Sequence, residues 1–315
     1  MATARKLAVL AIGGNSLIKD KDHERVSDQF AVTRETCRHI THMLEQGWNV
    51  VVTHGNGPQV GFILRRCELS LAELHPVPLD SIGADTQGSI GYMIQQSLTN
   101  EFARAGLDYR PVTVVTQVLV DRDDPAFQNP SKPIGSFMDE ATAHRHAEQE
   151  GWQVREDAGR GWRRVVASPK PLTIVERREI KKLIDMDFIV ICGGGGGIPV
   201  IRQNRKFRGV EAVIDKDLAS SVLAREIEAA AFVIASDVPG AGVNWGGRNQ
   251  QILGKVSLSE MDQHVKAGQF PAGSMGPKVE AIMDFYKATG KRGIICHLED
   301  IERAIEGNAG TEIIT

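Results

Sequence analysis

The sequence predicts an α/β fold with a mostly parallel sheet that is covered by helices on both faces. Short apolar runs alternate along the chain with stretches that repeat apolar residues at helical spacing. Strands that alternate with helices build βαβ units, whose parallel strands are buried on both faces. Glycine-rich turns follow four of the apolar runs. Because loops at the carboxyl ends of parallel strands meet at one edge of the sheet, these turns also indicate where a ligand binds.

Three strands and three helices are predicted in the first third of the chain. Each predicted helix carries apolar residues three or four positions apart, and glycines at 47 and 106 end two of the helices. Pro58 suits the first turn of a helix, where its missing N–H costs nothing. The strands are Leu7–Ile12, Trp48–Val52 and Val112–Val115, and the helices are Asp28–Gln46, Pro58–Leu71 and Gln87–Ala105.

The alternation resumes in the second half of the chain. Three short apolar runs there are each followed by turn residues, which is typical of buried strands. Two further helices have apolar stripes, and the second of them starts at a proline and stops at a glycine. The strands are Phe188–Cys192, Ala230–Ala235 and Gly293–Cys296, and the helices lie within 213–227 and from Pro277 to Gly290.

The stretch from Asp121 to Pro171 interrupts this pattern. It is rich in proline, glycine and charged residues, and it is much longer than the roughly 2–6 residues of an ordinary connection. It therefore predicts an inserted subdomain or a lid. His144 and His146 form an H-x-H pattern on an expected surface helix of this stretch, where solvated side chains are favoured over a metal site.

Composition excludes several classes of protein. Of the 315 residues, 42% are hydrophobic and 24% are charged, as in ordinary globular proteins. The net charge of −3 provides no basic excess for binding a nucleic-acid backbone. No apolar run approaches the roughly 18–20 residues that cross a bilayer, and the N-terminus lacks a signal-peptide pattern. The four cysteines have no C-x-x-C spacing, so we expect reduced thiols in a cytoplasmic protein.

The glycine-rich turns are candidate anion sites. Glycine lets backbone N–H groups converge on an anion, and a helix that starts behind the turn adds partial positive charge. One such turn is usually only a turn, but four at one edge favour a binding site. His54 lies within the second turn, where a structural role is at least as expected as a functional one. The turns are AIGGNSL (11–17), THGNGPQVG (53–61), GGGGGIP (193–199) and AGSMGPK (272–278).

Three lysines can supply the positive charge that these turns lack. Lys216 and Lys278 stand in the first turns of predicted helices, where a cation is destabilising by about 0.3–1 kcal/mol unless an anion lies in front of it. Asp217 can hold and direct such a lysine by a charge-assisted hydrogen bond. Lys132 lies between two prolines, in a rigid turn of the inserted stretch. Each lysine taken alone can equally be a solvated surface residue.

The combination favours phosphoryl transfer to an acceptor that is already an anion. Spacing alone assembles neither a Ser-His-Asp nor a Cys-His set, and no general base stands out. A phosphoryl transfer of this kind needs alignment and charge neutralisation more than it needs proton removal.

Eight segments, in order over nearly the whole chain, closely resemble carbamate kinase. The last three, together with the insert, separate carbamate kinase from the acetylglutamate, uridylate and aspartate kinases of the amino acid kinase fold. The segments are AIGGNSL, THGNGPQVG, QGSIGY (87–92), DPAFQNPSKPIGSF (124–137), REDAGRGWRRVVASP (155–169), GGGGIPV (194–200), GVEAVIDKDLA (209–219) and AGSMGPKVEAI (272–282).

The resemblance implies an architecture and an activity. The fold would be a three-layer αβα sandwich around a mainly parallel central sheet of about eight strands. Residues 1–210 would form the acceptor-binding lobe, with a protruding lid subdomain at about 121–168, and residues 211–315 the nucleotide-binding lobe. The reaction would be ATP + carbamate = ADP + carbamoyl phosphate, with Mg²⁺ held mainly by the nucleotide phosphates and no protein metal ligands. The protein would be a cytoplasmic homodimer of arginine, agmatine or ureide breakdown, with no nucleic-acid or membrane partner.

The resemblance also implies roles for individual residues. The residues around carbamate and the transferred phosphoryl group would be Gly13, Gly14, Asn15, Gly55, Asn56 and Gly57. The phosphoryl oxygens would be neutralised by Lys132, Lys216 and Lys278, and Asp217 would organise the lysines. The nucleotide site would contain Asp237, Met275, Gly276 and Pro277 with Lys216 and Lys278. Two alternatives stay open: a kinase of another small carboxylate or carbamate-like anion on the same fold, and a catalytically impaired nucleotide-binding regulatory homologue.

Overall fold

A computed structural model describes residues 5–13, 17–18, 20, 22–157 and 159–315. The helices are α1 Val26–Glu45, α2 Gly57–Ser70, α3 Leu79–Ala105, α4 Glu140–Glu150, α5 Arg177–Asp185, α6 Lys216–Glu226, α7 Leu258–Lys266, α8 Met275–Thr289 and α9 Ile301–Ile305. The strands are β1 Lys6–Ile12, β2 Trp48–His54, β3 Arg110–Thr113, β4 Gln117–Val120, β5 Lys132–Met138, β6 Gln153–Glu156, β7 Trp162–Val166, β8 Pro171–Ile174, β9 Phe188–Ile191, β10 Ile198–Gln203, β11 Lys206–Gly209, β12 Ala231–Ser236, β13 Gly242–Val243, β14 Gln251–Ile252, β15 Lys255–Ser257, β16 Arg292–His297 and β17 Thr311–Ile314.

An eight-stranded sheet in the order β15-β17-β16-β12-β1-β2-β9-β3 forms the centre of the molecule. Neighbouring strands are parallel, except that β17 runs antiparallel to β16. The predicted mainly parallel sheet is therefore confirmed.

Strand β1 shows why the sheet is covered on both faces. Successive side chains of a strand point to opposite faces, and Ala8 to Ile12 are all fully buried. Val9 and Ala11 pack into a core with residues of α5, α6 and α8. Ala8, Leu10 and Ile12 pack into a second core with residues of α1, α3 and α9. An apolar run without alternation thus requires a helical layer on each side, which confirms the three-layer αβα sandwich.

The predicted start of α3 at Gln87 was wrong, because the helix begins at Leu79. Glycines 83, 88 and 91 weaken the helical pattern in the sequence. Gly91 has a packing reason: a Cβ added there would lie 2.2 Å from Cγ2 of Thr113 on β3. The helix therefore needs a residue without a side chain to approach the sheet this closely.

The insert (residues 121–168) has a small sheet of its own. Strands β5, β7 and β6 form an antiparallel sheet, and α4 packs beside β6 and β7. His144 and His146 lie on α4, and the His146 ring stacks on Trp152 with 4.4 Å between ring centroids. The expected subdomain is present, while its function as a lid and the division into acceptor and nucleotide lobes stay predictions.

Two further observations concern cysteines and membranes. Within the described residues the cysteines at 37, 67, 192 and 296 are free thiols, and only Cys67 is partly exposed. None of the helices in the described part of the chain has both the length and the apolar character that a membrane crossing requires.

Candidate active site

Three of the four glycine-rich turns come directly after parallel strands of the central sheet, β1, β2 and β9, and lie at one edge of it, as predicted. The fourth, AGSMGPK, follows α7 and leads into α8, so the prediction that it follows a strand was wrong. Ile12 at the end of β1 is in register with His54 of β2 and Ala235 of β12. Beyond these residues the chain turns, and backbone hydrogen bonds join the first residue of each turn to the end of a neighbouring strand. Gly13 N donates to Ala235 O of β12 at 3.2 Å, and Gly55 N donates to Ile12 O of β1 at 2.9 Å. The predicted residues Gly14 and Asn15 lie outside the described residues.

The THGNGPQVG turn presents a helix start to this edge. Asn56 is the N-cap residue of α2, which begins at Gly57 with Pro58 in its first turn. The buried Asn56 side chain donates to Thr86 Oγ1 of α3 at 2.9 Å. Backbone N–H groups of this first helical turn have no partner within the helix and are available to an anion.

The GGGGG turn packs between the THGNGPQVG turn and the segment before α6. Its residues at 193, 195, 196 and 197 all have positive φ, which favours glycine. A Cβ at Gly195 would lie 2.1 Å from Asn56 Nδ2, and one at Gly196 would lie 2.4 Å from the Ile214 carbonyl oxygen. Gln87 fixes the turn by donating from Nε2 to Gly194 O at 3.2 Å. Glycine is therefore required here for close approach as well as for backbone conformation.

A buried carboxylate joins two of the predicted lysines. Asp217 Oδ1 accepts from Lys216 Nζ at 2.5 Å, and Asp217 Oδ2 accepts from Lys278 Nζ at 2.9 Å. The side chains of Asp217, Lys216 and Lys278 are 4%, 14% and 15% exposed. The structure thus brings together the first turns of α6 and α8, which are 61 residues apart along the chain.

The charges within the triad of Asp217, Lys216 and Lys278 determine the protonation state of Asp217. Burial by itself would raise the pKa of Asp217, but Lys216 and Lys278 outweigh burial and lower the pKa to about 2. Burial lowers the pKa of Lys216, and Asp217 opposes this effect. Asp217 is therefore ionised at neutral pH and holds two ammonium groups at the same edge of the sheet.

Lys132 reaches the same helix start from the insert. Its Nζ donates to Asp215 Oδ2 at 2.9 Å. Asp215 is the N-cap residue of α6, directly before Lys216. The three predicted lysines therefore converge on the first turn of α6, and the third belongs to a part of the chain that contributes no strand to the central sheet.

His54 is fully enclosed beside these groups. Its Nδ1 carries the proton and donates to the Gly55 carbonyl oxygen at 3.0 Å. The pKa of His54 is lowered to about 4, mainly by burial and also by the charge of Lys216, while the hydrogen bond to Gly55 acts in the opposite direction. The ring is therefore neutral at pH 7, and its enclosure keeps it away from solvent.

The predicted nucleotide residues occupy two places. Asp237 follows β12 at the same sheet edge and accepts from Ser236 Oγ at 3.0 Å. Met275, Gly276 and Pro277 form the first turn of α8, which carries Lys278. The helix begins two residues before the predicted Pro277, so that boundary was wrong, while the placement of Lys278 in the first turn is confirmed. The roles of these residues stay predictions.

The comparisons with known proteins cover nearly the whole chain. The model of the amino acid kinase family matches residues 6–297. The carbamate kinase of Pyrococcus furiosus is 47% identical over 98% of this chain and 99% of its own. The carbamate kinase of Pyrococcus horikoshii is 48% identical over 97% of this chain and 98% of its own.

The chain belongs to the carbamate kinases of the amino acid kinase family. The solved carbamate kinase of Giardia lamblia bound to AMP-PNP superposes with a TM-score of 0.93, at 44% identity and over 99% of both chains. The resemblance seen in the sequence is thereby confirmed for family and fold.

Sequence reasoning missed the residues that hold this carbamate kinase site in shape. Gln87 also donates to Thr116 O at 3.0 Å, and Gly193 N donates to Thr116 Oγ1 at 2.9 Å. The contact of Asp215 with Lys132 was not predicted either. A signal existed only for Gln87, which lies within the quoted segment QGSIGY.

Proposed function

We propose that this carbamate kinase transfers a phosphoryl group reversibly between ATP and carbamate, giving ADP and carbamoyl phosphate. The observation that supports this most directly is the pair of ammonium groups held by Asp217 beside the helix start at Gly57 and the glycine-rich turns. These groups suit an anionic acceptor and a phosphoryl group with charge spread over its oxygens. Carbamate kinases at 47–48% identity and the AMP-PNP-bound Giardia enzyme support the choice of substrates.

The reaction needs no proton transfer in this scheme. A carboxylate oxygen of carbamate forms a bond to the γ-phosphorus, the bond from phosphorus to the β,γ-bridging oxygen breaks, and ADP leaves with that electron pair. Lys216 and Lys278 neutralise the phosphoryl oxygens, and Asp217 fixes the direction of both lysines. The enclosed position of His54, which is 1% exposed, agrees with chemistry that requires no general base.

The acceptor and nucleotide would enter from opposite sides of the triad. Gly13, Gly55, Asn56 and Gly57 would surround carbamate, because they lie at the edge formed by β1 and β2. Asp237 and the first turn of α8 would contact the nucleotide. This arrangement supports an acceptor-binding lobe at residues 1–210 and a nucleotide-binding lobe at 211–315.

Magnesium would arrive with the nucleotide. In the described part of the chain, no group of three or more His, Cys, Asp or Glu side chains is arranged to hold a metal ion. Both oxygens of Asp217 and both of Asp215 already accept N–H donors, so these carboxylates suit lysines. Mg²⁺ on the phosphates would neutralise part of their charge and keep them aligned.

The experiment measures ATP formation from ADP and carbamoyl phosphate. We expect activity in the wild type and a loss in kcat of about a hundredfold or more in Lys216→Ala and in Lys278→Ala, since each removes one preorganised charge from the transferred group. Lys170→Ala is the matched control, because the side chain of this exposed lysine forms an ion pair only with Glu280 among the described residues. An inactive wild type that still binds nucleotide would refute the function, and phosphorylation of acetate in preference to carbamate would point to a different acceptor.

We also propose a homodimer in the cytoplasm. Tyr92 on the long helix α3 is 57% exposed and touches Phe30 edge-on, so this face offers apolar area to a second copy. The free thiols favour a reducing compartment. Light scattering on the wild type and on Tyr92→Lys tests the dimer: a wild-type mass of one chain would contradict it.

A further inference from the structure

Asp215 makes two separate contacts with its two carboxylate oxygens. Oδ1 accepts from Asp217 N at 2.9 Å and from Leu218 N at 3.5 Å, which caps α6. Oδ2 accepts from Lys132 Nζ at 2.9 Å. The side chains of Asp215 and Lys132 are 14% and 34% exposed. One carboxylate therefore connects the insert to the helix that carries Lys216 and Asp217.

The cap alone does not require a carboxylate. Asn and Ser cap helices about as well as Asp, because one side-chain oxygen is sufficient. The second oxygen and its negative charge thus have a separate partner in Lys132. The two contacts can be separated experimentally, since Asn retains the capping oxygen and replaces the oxygen that faces Lys132 by an N–H donor.

The backbone around Lys132 is already placed by other contacts. Lys132 pairs with Val166 across β5 and β7. Ala167, which follows Val166 in the chain, forms a parallel bridge with Ala212, and the carbonyl oxygen of Ala167 accepts from Val213 N at 2.9 Å. These bonds fix where the lysine backbone lies, but its four-carbon side chain keeps its rotamers. Asp215 is the only group in the described part of the chain to which the Lys132 ammonium donates.

We propose that Asp215 is a positioning residue that aims the Lys132 ammonium at the transferred phosphoryl group. This rests on the proposed function. A lysine ammonium has three N–H donors, so after one bond to Asp215 two are left for phosphoryl oxygens. Asp215 thereby does for Lys132 what Asp217 does for Lys216 and Lys278, and both carboxylates stand at the first turn of α6.

The first test is a double-mutant cycle on ATP formation. Asp215→Asn and Asp215→Ser should lower kcat about tenfold and change the KM for ADP less than about twofold, since each loses one partly exposed charge-assisted contact. In a Lys132→Ala background, Asp215→Asn should cause no further loss. The matched control is Asp139→Asn, because Asp139 caps α4 in the insert and contacts no lysine in the described structure. Equal losses in both backgrounds, or no loss in either, would overturn the proposal.

The second test is independent of activity. Acylation of Lys132 by a water-soluble N-hydroxysuccinimide ester, followed by peptide mass spectrometry, reports how firmly its amine is held. The rate should rise several-fold in Asp215→Asn and stay unchanged in Asp139→Asn, with Lys170 as the internal reference. An unchanged rate at Lys132 overturns the inference even if the enzyme is active. A wild type without kinase activity refutes the proposed function, and the labelling still decides whether Asp215 holds Lys132.

Discussion

The buried histidine of the THGNGPQVG turn makes the stability of this protein depend on pH in a defined window. His54 has a pKa of about 4 in the folded chain, against an ordinary value of 6.5. As the pH falls below 6.5, His54 binds a proton in the unfolded chain, whereas in the folded chain it stays neutral down to about pH 4. The stabilising contribution is therefore complete above pH 6.5 and decreases down to about pH 4. The shift corresponds to about 3 kcal/mol in total, of which about 2 kcal/mol is lost between pH 7 and pH 5.

The perturbation is His54→Gln, which removes the titrating ring and keeps an N–H donor for the Gly55 carbonyl oxygen. Urea unfolding at pH 7 and pH 5 gives the free energy of unfolding of both proteins. The wild type should lose about 2 kcal/mol more than the variant over this interval. His75→Gln, a change at an exposed histidine, should leave the wild-type loss unaltered. The same loss in wild type and His54→Gln would refute the reasoning, as would an NMR titration of His54 near pH 6.5 in the folded protein.

Two further predictions concern the carboxylate and the glycine that shape the site. Asp217→Asn should lower the free energy of unfolding by about 3 kcal/mol and nearly abolish ATP formation, because it leaves two buried ammonium groups without a counter-charge. The control Asp262→Asn, at an exposed ion pair, should lower the free energy of unfolding by less than about 1 kcal/mol. Equal decreases for the two variants in urea unfolding would contradict this prediction. Gly195→Ala should raise the KM for carbamoyl phosphate and lower the free energy of unfolding by more than about 2 kcal/mol, since its Cβ would lie 2.1 Å from Asn56 Nδ2. Gly246 has a similar positive φ but open space around it. Gly246→Ala should therefore show only the cost of backbone strain and no change in KM.

Much of the fold followed from local patterns. The run from Leu7 to Ile12 has no polar residue, so both of its faces had to be covered, and the structure covers both. The irregular insert was recognised by its composition, but its strands were not predicted. Short strands such as β6 and β7 contain many charged residues and obtain their order from pairing with one another.

The candidate site also combines features that the sequence predicted with contacts that it did not predict. The sequence indicated the glycine turns and placed Lys216 and Lys278 at helix starts, and both positions are confirmed. The residue pattern offered Asp217 as the partner of Lys216 or of a neighbouring lysine, and the resemblance to carbamate kinase implied that it organises the lysines. Whether Asp217 holds one lysine or two depends on how α6 and α8 approach each other, which no local pattern contains.

By itself the sequence determined that six of the eight strands of the central sheet form, namely β1, β2, β3, β9, β12 and β16, and that α1, α2, α3, α6 and α8 form. It also determined where glycine and lysine stand relative to strand ends and helix starts. Helical and strand periods, capping and turn preferences act over a few residues, so they can be read directly. Tertiary structure decided the pairings between distant segments: Lys278 with Asp217 across 61 residues, and Lys132 with Asp215 across 83. These contacts form only when the central sheet and the insert have brought their backbones within a few ångströms, and that packing depends on the whole chain at once.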